Sequence, residues 1–362
     1  MIESPDCIFV APVDFSGLQQ RHQAFAGELA ASGSRVVYVE PLKSPGFSIS
    51  RRQVSERLCV ASVSLPFRAS SFPGLQRICA KLLLQLLSNC FKFRLDKTNL
   101  WLAEPSLAAI ALPGWRRVVY DCCDLHGAFP GQRTQAWEKY EALLARNADL
   151  ICVSHQYLAR RFFPEHAGKI LSVPNACSQT FIELARHSAA AKSGRTTGEN
   201  RMIKMVSSGA HYEWVDCAWL ELLSGLVGVE LHIAGTGRGE AFSRLINNGN
   251  TIFHGRLEHD ELVKLLCECD VGLIPFRNIG LIEGVDPIKA YEYAACGLEI
   301  WAPDVTALRS RPLIARFVAD RLQAEQALCN FRQRPLIFCG SIPTWAERLQ
   351  TVLDRPGVLR AD

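Results

Sequence analysis

Gly284-Val-Asp-Pro-Ile-Lys-Ala-Tyr-Glu-Tyr-Ala-Ala-Cys-Gly297 is the stretch on which the reading of this chain turns. Asp286 is a good helix N-cap, and Pro287 then takes the first helical position, where its missing N–H costs nothing. Lys289 falls in the first turn, where a cation opposes the helix dipole. The N–H groups at Ile288 and Lys289, together with the lysine ammonium, make a site for a phosphate or diphosphate. Glu292 lies three residues beyond Lys289 on the same face, where a carboxylate can accept two hydrogen bonds from a ribose diol. That combination describes a nucleotide site. The same spacing also describes an ordinary helix with one solvated Lys–Glu pair.

Working outward, strand-like and helix-like segments alternate along the whole chain, the pattern of parallel sheets covered by helices. Upstream, strands are expected at 7–13, 35–40, 58–65, 99–103, 118–121, 148–153 and 169–173, with helices at 19–32, 134–146 and 157–163. Residues 187–201 are rich in Ala, Ser, Gly, Thr and charge without periodicity, which reads as an exposed connection. A second alternation follows, with strands at 203–208, 229–234, 271–275 and 298–302 and helices at 214–226, 258–267 and 287–296. The expected division is an N-terminal domain over 1–178, a linker over 179–200, a second domain over 201–340, and a helical tail over 341–362. The expected fold class is therefore α/β, with two Rossmann-like domains facing a cleft.

The chain has 362 residues, 48% apolar and 21% charged, which excludes a disordered, collagen-like or coiled-coil protein. No apolar run approaches the roughly 20 residues of a spanning helix. The start, Met-Ile-Glu-Ser-Pro-Asp-Cys, has no basic segment leading into an apolar one, so the expected location is cytoplasmic. Fourteen cysteines without a Cys-x-x-Cys then read as small buried residues rather than disulfides or a metal site. Net charge is +4, divided as +6 over residues 1–177 and −2 over the rest. This asymmetry suits an anionic small molecule or membrane surface and is too small for nucleic acid. Residues 67–97 interleave Arg68, Arg77, Lys81, Lys92, Arg94 and Lys97 with leucines and phenylalanines. Such a segment can lie on an anionic membrane or pack on a core with a basic outer face.

The quoted stretch resembles the donor-binding helix of GT-B glycosyltransferases, and other segments resemble that family in the same order. Ser207-Ser-Gly-Ala-His-Tyr-Glu-Trp214 resembles its glycine loop, with Gly209 at the centre, and Gly235-Thr-Gly237 resembles the next strand-end turn. Phe253-His-Gly-Arg-Leu257, containing Arg256, resembles the base-holding segment, and Asp270-Val-Gly-Leu-Ile-Pro-Phe-Arg277 the strand into the donor loop. Gln20-Arg-His-Gln23 and Tyr120-Asp-Cys-Cys-Asp-Leu-His-Gly-Ala-Phe-Pro-Gly131 are similar to bacterial cell-surface polysaccharide transferases (glycosyltransferase family 4 and the xanthan glucuronosyltransferase type).

The resemblance implies sugar transfer from a nucleotide diphosphate sugar to a hydroxyl of a glycan or lipid-linked acceptor at the inner membrane face. It makes Asp124 the base that deprotonates the acceptor, with Asp121 structural, His126 a rival base, and Arg21 facing the acceptor or a phosphate. The donor side would comprise Gly209, Gly237, Arg256, Leu257, Arg277, Pro287, Ile288, Lys289 and Glu292. No Asp-x-Asp occurs, so no metal cofactor is expected, and N–H groups and cations would meet the leaving-group charge. Retaining relatives carry Glu-x7-Glu ending at the position of Glu292; here Gly284 stands eight places earlier, with Glu283 out of register. This departure favours an inverting displacement. A GT-B-fold sugar epimerase and a non-catalytic nucleotide-sugar-binding scaffold are the alternatives.

Overall fold

The computed structural model describes residues 4–67, 73–112, 114–190, 202–333 and 336–355. The chain forms two compact units, Met1–Pro174 with Trp345–Asp362, and Asn175–Thr344.

The first unit contains β1 (Cys7–Val10), α1 (Arg21–Ala31), β2 (Val36–Val39), β3 (Ser48–Ser55), β4 (Leu58–Ser64) and α2 (Gln76–Phe91). It continues through β5 (Asn99–Leu102), β6 (Arg117–Cys122), α3 (Thr134–Asn147), β7 (Leu150–Val153), α4 (Gln156–Arg160) and β8 (Ile170–Ser172). Its sheet runs β3-β4-β2-β1-β5-β6-β7-β8, parallel throughout except for β3 against β4. Strands β1, β2, β5 and β7 are four-residue runs buried at every position and apolar but for Asn99 of β5, as expected for a sheet covered on both faces. Sequence β1–β2 steps to one side and β5–β6 to the other, so the sheet reverses direction beside β1. Open α/β sheets bind ligands at the carboxyl ends of strands at such a reversal.

The second unit contains α5 (Gln179–Ala190), β9 (Ile203–His211), α6 (Cys217–Ser224), β10 (Val229–Gly237), α7 (Glu240–Ile246), β11 (Thr251–Gly255) and α8 (His259–Glu268). There follow β12 (Val271–Leu273), α9 (Ile288–Ala295), β13 (Glu299–Pro303), β14 (Arg316–Val318) and α10 (Arg321–Gln333). Its sheet, β11-β10-β9-β12-β13-β14, is wholly parallel. The last helix, α11 (Trp345–Leu353), belongs to the first unit, where Trp345 meets the Phe25 ring edge-on at 5.4 Å.

Several expectations need correction. The segment 179–190, expected as linker, is helix α5, whose Phe181, Ile182 and Ala185 are buried in the second unit's core. Residues 191–200 of that expected linker lie outside the described residues. The antiparallel strand β3 was missed because Ser-Ile-Ser-Arg-Arg-Gln-Val-Ser has almost no buried position and so no apolar alternation to read. The leucines of 82–87 do not form an outward apolar face. Leu83 and Leu87 are fully buried, Leu82, Leu84 and Leu86 pack against the same core, and Lys81 and Lys92 stay exposed. Arg68 of that basic segment lies outside the described residues.

Gly235-Thr-Gly237 is not a turn beyond a strand but the end of β10 itself, paired in register with Gly209-Ala-His211 at the end of β9. Gly209 and Gly235 sit at φ +122° and +119°, and a Cβ on Gly235 would stand 2.0 Å from the Gly209 carbonyl oxygen. A side chain is excluded there by the neighbouring backbone. A Cβ on Gly237 would strike the Phe242 ring at 2.5 Å, so the packing of that ring requires a glycine there.

Candidate active site

Two clusters, one in each unit, hold the chemistry that the sequence singles out. In the second unit α9 begins where expected but is capped differently. Pro287 is the N-cap residue, and no side chain caps the helix. The Asp286 carboxylate is engaged elsewhere, accepting the Asn175 N–H at 2.6 Å and the Tyr291 hydroxyl at 3.1–3.2 Å. Helix geometry leaves the N–H groups of Ile288 and Lys289 without intrahelical acceptors, and Lys289 is only half-buried. Lys289 Nζ donates to Glu292 Oε2 at 2.8 Å, and Glu292 is 7% exposed. The pair is therefore neither two independent ligand groups nor a solvated surface pair: a buried carboxylate holds the ammonium beside the helix entrance. The Lys289 stem also passes over Gly209, whose missing Cβ would lie 3.4 Å from Lys289 Cε.

Three contacts fix α9, none of them signalled by periodicity. Ser208 N–H donates to the Tyr293 hydroxyl at 2.8 Å, joining α9 to β9. Gly272 leaves room for that tyrosine, because a Cβ there would meet its ring at 2.4 Å. Arg311, 5% exposed, donates to the Val285 and Glu283 carbonyls at 2.7 and 3.3 Å and braces the loop that enters the helix. Among the other donor-side candidates, Leu257 packs against the core, Arg256 is exposed, and Arg277 is exposed and donates to the Glu213 carbonyl at 3.2 Å. His211 is buried, bonded to Ser207 Oγ at 2.8 Å, and burial pushes its pKa down to about 4.

In the first unit the cluster gathers at the carboxyl end of β6 and the start of α1. Arg21 is not placed to meet a ligand. It is 2% exposed, and its Nε and Nη2 donate to the Asp121 carboxylate at 2.8–3.0 Å. Its Nη1 donates to the Val173 carbonyl at 2.6 Å, and the guanidinium lies 4.7 Å from the Phe25 ring centre. Burial opposes the charge, yet the Asp121 carboxylate and its hydrogen bonds raise the guanidinium's pKa above its ordinary value. Asp121, fully buried, therefore anchors Arg21, a structural role. A buried fork of this kind is invisible in sequence because 100 residues separate its partners.

Asp124 stands two residues past β6 and is half-buried. Burial raises its pKa to about 6; the Cys123 thiol and Arg21 act against that shift and Asp121 adds to it. His126 does not fit the role of base. It is 7% exposed, stacked on Trp137 at 5.4 Å, and burial drives its pKa down to about 3. Among the described residues no group of three or more His, Cys, Asp or Glu side chains is arranged to hold a metal ion.

No family model matches the chain, and no curated protein matches it. Solved structures do. Sucrose-phosphate synthase from Thermosynechococcus elongatus aligns with TM-score 0.64 at 13% identity, covering 96% of this chain and 92% of that one. The α,α-trehalose 6-phosphate synthase from Burkholderia multivorans aligns with TM-score 0.62 at 13% identity, covering 97% and 93%. The UDP-forming α,α-trehalose-phosphate synthase from Burkholderia xenovorans, in complex with glucose-6-phosphate, aligns with TM-score 0.61 at 16% identity, covering 96% and 94%. The chain is thus an α/β protein of the GT-B fold, with two Rossmann-like units. At such identities it is the fold that is shared.

Proposed function

We propose that the protein is a glycosyltransferase that moves a sugar from a nucleotide diphosphate sugar to a hydroxyl of a glycan or lipid-linked acceptor. The observation that carries this reading is Asp124: a half-buried carboxyl at a strand end, its pKa raised to about 6 and its surroundings locked by a buried ion pair. A base with that proton affinity is ionised at neutral pH and still able to take a hydroxyl proton as attack proceeds. In a single displacement the acceptor oxygen bonds to the anomeric carbon, the bond to the diphosphate oxygen breaks, and the acceptor proton passes to Asp124. In the second unit, the α9 entrance, with the N–H groups of Ile288 and Lys289 and the Lys289 ammonium, offers donors of the kind a diphosphate needs. No metal is required in this scheme. Glu292 would reach the ribose through Oε1, since Oε2 holds Lys289. The fold is shared with enzymes described as UDP-forming and as binding glucose-6-phosphate, which supports a nucleoside diphosphate leaving group. The xanthan-type polysaccharide role rests on the Gln20–Gln23 and Tyr120–Gly131 motifs.

The test is product formation by wild type, Asp124→Asn and Lys289→Ala with UDP-, GDP- and dTDP-sugars, against both glucose-6-phosphate and lipid-linked glycans. Asp124→Asn should lose about 10²-fold or more in kcat while keeping donor binding, and wild-type activity should fall as pH drops through about 6. Lys289→Ala should raise the donor Kd about tenfold or more. Nucleoside diphosphate released without acceptor, or Asp124→Asn within a few-fold of wild type, would remove the assignment.

A further inference from the structure

The proposed reaction assigns no role to Cys123 or His22, and both are buried. Cys123 Sγ lies 3.7 Å from Asp124 Oδ2 and 3.7 Å from His22 Nε2. The sulfur thus sits between an imidazole and the carboxylate, within reach of both.

Hydrogen bonds and an ion pair frame it. Ser154, just past β7, donates from Oγ to the Cys123 carbonyl at 2.9 Å, and its N–H donates to the Cys122 carbonyl at 3.3 Å. His22 is the second residue of α1, beside Arg21, whose fork on Asp121 ties that helix start to β6. Burial raises the thiol's pKa well above its ordinary value, so Cys123 remains a protonated donor. Burial also lowers the His22 pKa to about 4, so its ring is neutral and carries one proton. His22 Nδ1 is buried with no hydrogen-bond partner among the described residues. With the proton on Nε2, the ring donates to sulfur and the thiol is left to donate to Asp124. In the other tautomer the thiol would turn to Nε2 and leave the carboxylate.

We propose that Cys123, oriented by His22, is a positioning residue that holds the Asp124 carboxylate in its ionised form and aims it. This rests on the reading of Asp124 as the base. The charged and titratable groups acting on that carboxyl are Arg21 from α1, Asp121 from β6 and Cys123 just past it, while His22 from α1 reaches it only through the thiol. Arg21 and the thiol favour the carboxylate, and Asp121 disfavours it. A hydrogen bond donated to the charged form lowers a carboxyl pKa, so its removal must raise it.

The experiment measures two things on the full chain: the carbon-13 titration of the Asp124 carboxyl without substrate, assigned by its loss in Asp124→Asn, and the pH profile of kcat/KM. Cys123→Ala should move both midpoints up by about half a pH unit or more. His22→Phe should move them the same way. Cys123→Ser keeps a hydroxyl donor and should titrate below the alanine variant. A purely structural role would lower the rate at every pH without moving the midpoint. Alanine and wild-type midpoints that coincide, or a serine variant that titrates with alanine, would overturn the proposal. Should Asp124→Asn stay active while the carboxyl midpoint still moves, the base assignment fails and the coupling of Cys123 to Asp124 stands.

Discussion

Replacing Arg21 by Met leaves the fully buried Asp121 carboxylate without its cation. The substitution retains most of the stem volume and its contact with Phe25 but deletes the fork on Asp121 and the bond to the Val173 carbonyl. Breaking a buried pair from one side costs about 3–5 kcal/mol, because the desolvated charge that remains has no compensation. At about 2–4 °C per kcal/mol for a domain of this size, the first unit should melt roughly 6–20 °C lower. The double variant Arg21→Met/Asp121→Leu has no stranded charge and should regain about 2 kcal/mol or more of the loss. Urea titration followed by tryptophan fluorescence reads this through four of the seven tryptophans, since Trp101, Trp115, Trp137 and Trp345 belong to the first unit and Trp214, Trp219 and Trp301 to the second. An Arg21→Met protein within about 1 kcal/mol of wild type would refute the buried-fork argument. If that equally stable variant also lost acceptor affinity, Arg21 would return to the acceptor-facing role that its position in the sequence suggests.

Two further outcomes follow from geometry already described. Gly235→Ala places a methyl 2.0 Å from the Gly209 carbonyl oxygen at φ +119° and should cost about 3 kcal/mol or more. Gly280→Ala, with nothing within 4 Å of the new Cβ, serves as the control, and equal denaturation midpoints for the two would contradict the strand contact. Because the α2 leucines are spent on the core, any attraction of this face to an anionic bilayer must come from charge, chiefly Arg77, Lys81, Lys92 and Lys97. Flotation with phosphatidylserine vesicles should then be seen at low salt and vanish at high salt; no flotation at low salt would exclude membrane contact through this face.

The alternation of short apolar runs with amphipathic segments was legible because parallel strands buried on both faces need uninterrupted apolar residues. Strands β1, β2, β5 and β7 were found that way, whereas β3 was not, being an exposed edge whose only instruction to pair comes from β4. The start of α9 was legible from Pro287, yet its cap was misassigned. Asp286 has the right chemistry for an N-cap, but Asn175 and Tyr291 claim its carboxylate. The linker at 179–190 was misread because a helix of modest apolar content is recognised only once Phe181, Ile182 and Ala185 meet the core.

From residue types and order alone came the α/β class, the two-unit plan and the helix opening at Pro287. All of these depend on local preference and on periods of two or 3.6 residues, which act over a few neighbours. The roles within the clusters were decided only in three dimensions. Arg21 became an anchor because the fold brings Asp121 within hydrogen-bond reach of it, and burial drives the His126 pKa down. Gly235 was constrained by a carbonyl on another strand. Ionisation, hydrogen bonding and steric exclusion are set by whichever groups meet in space, and those partners lie tens to a hundred residues apart in the chain.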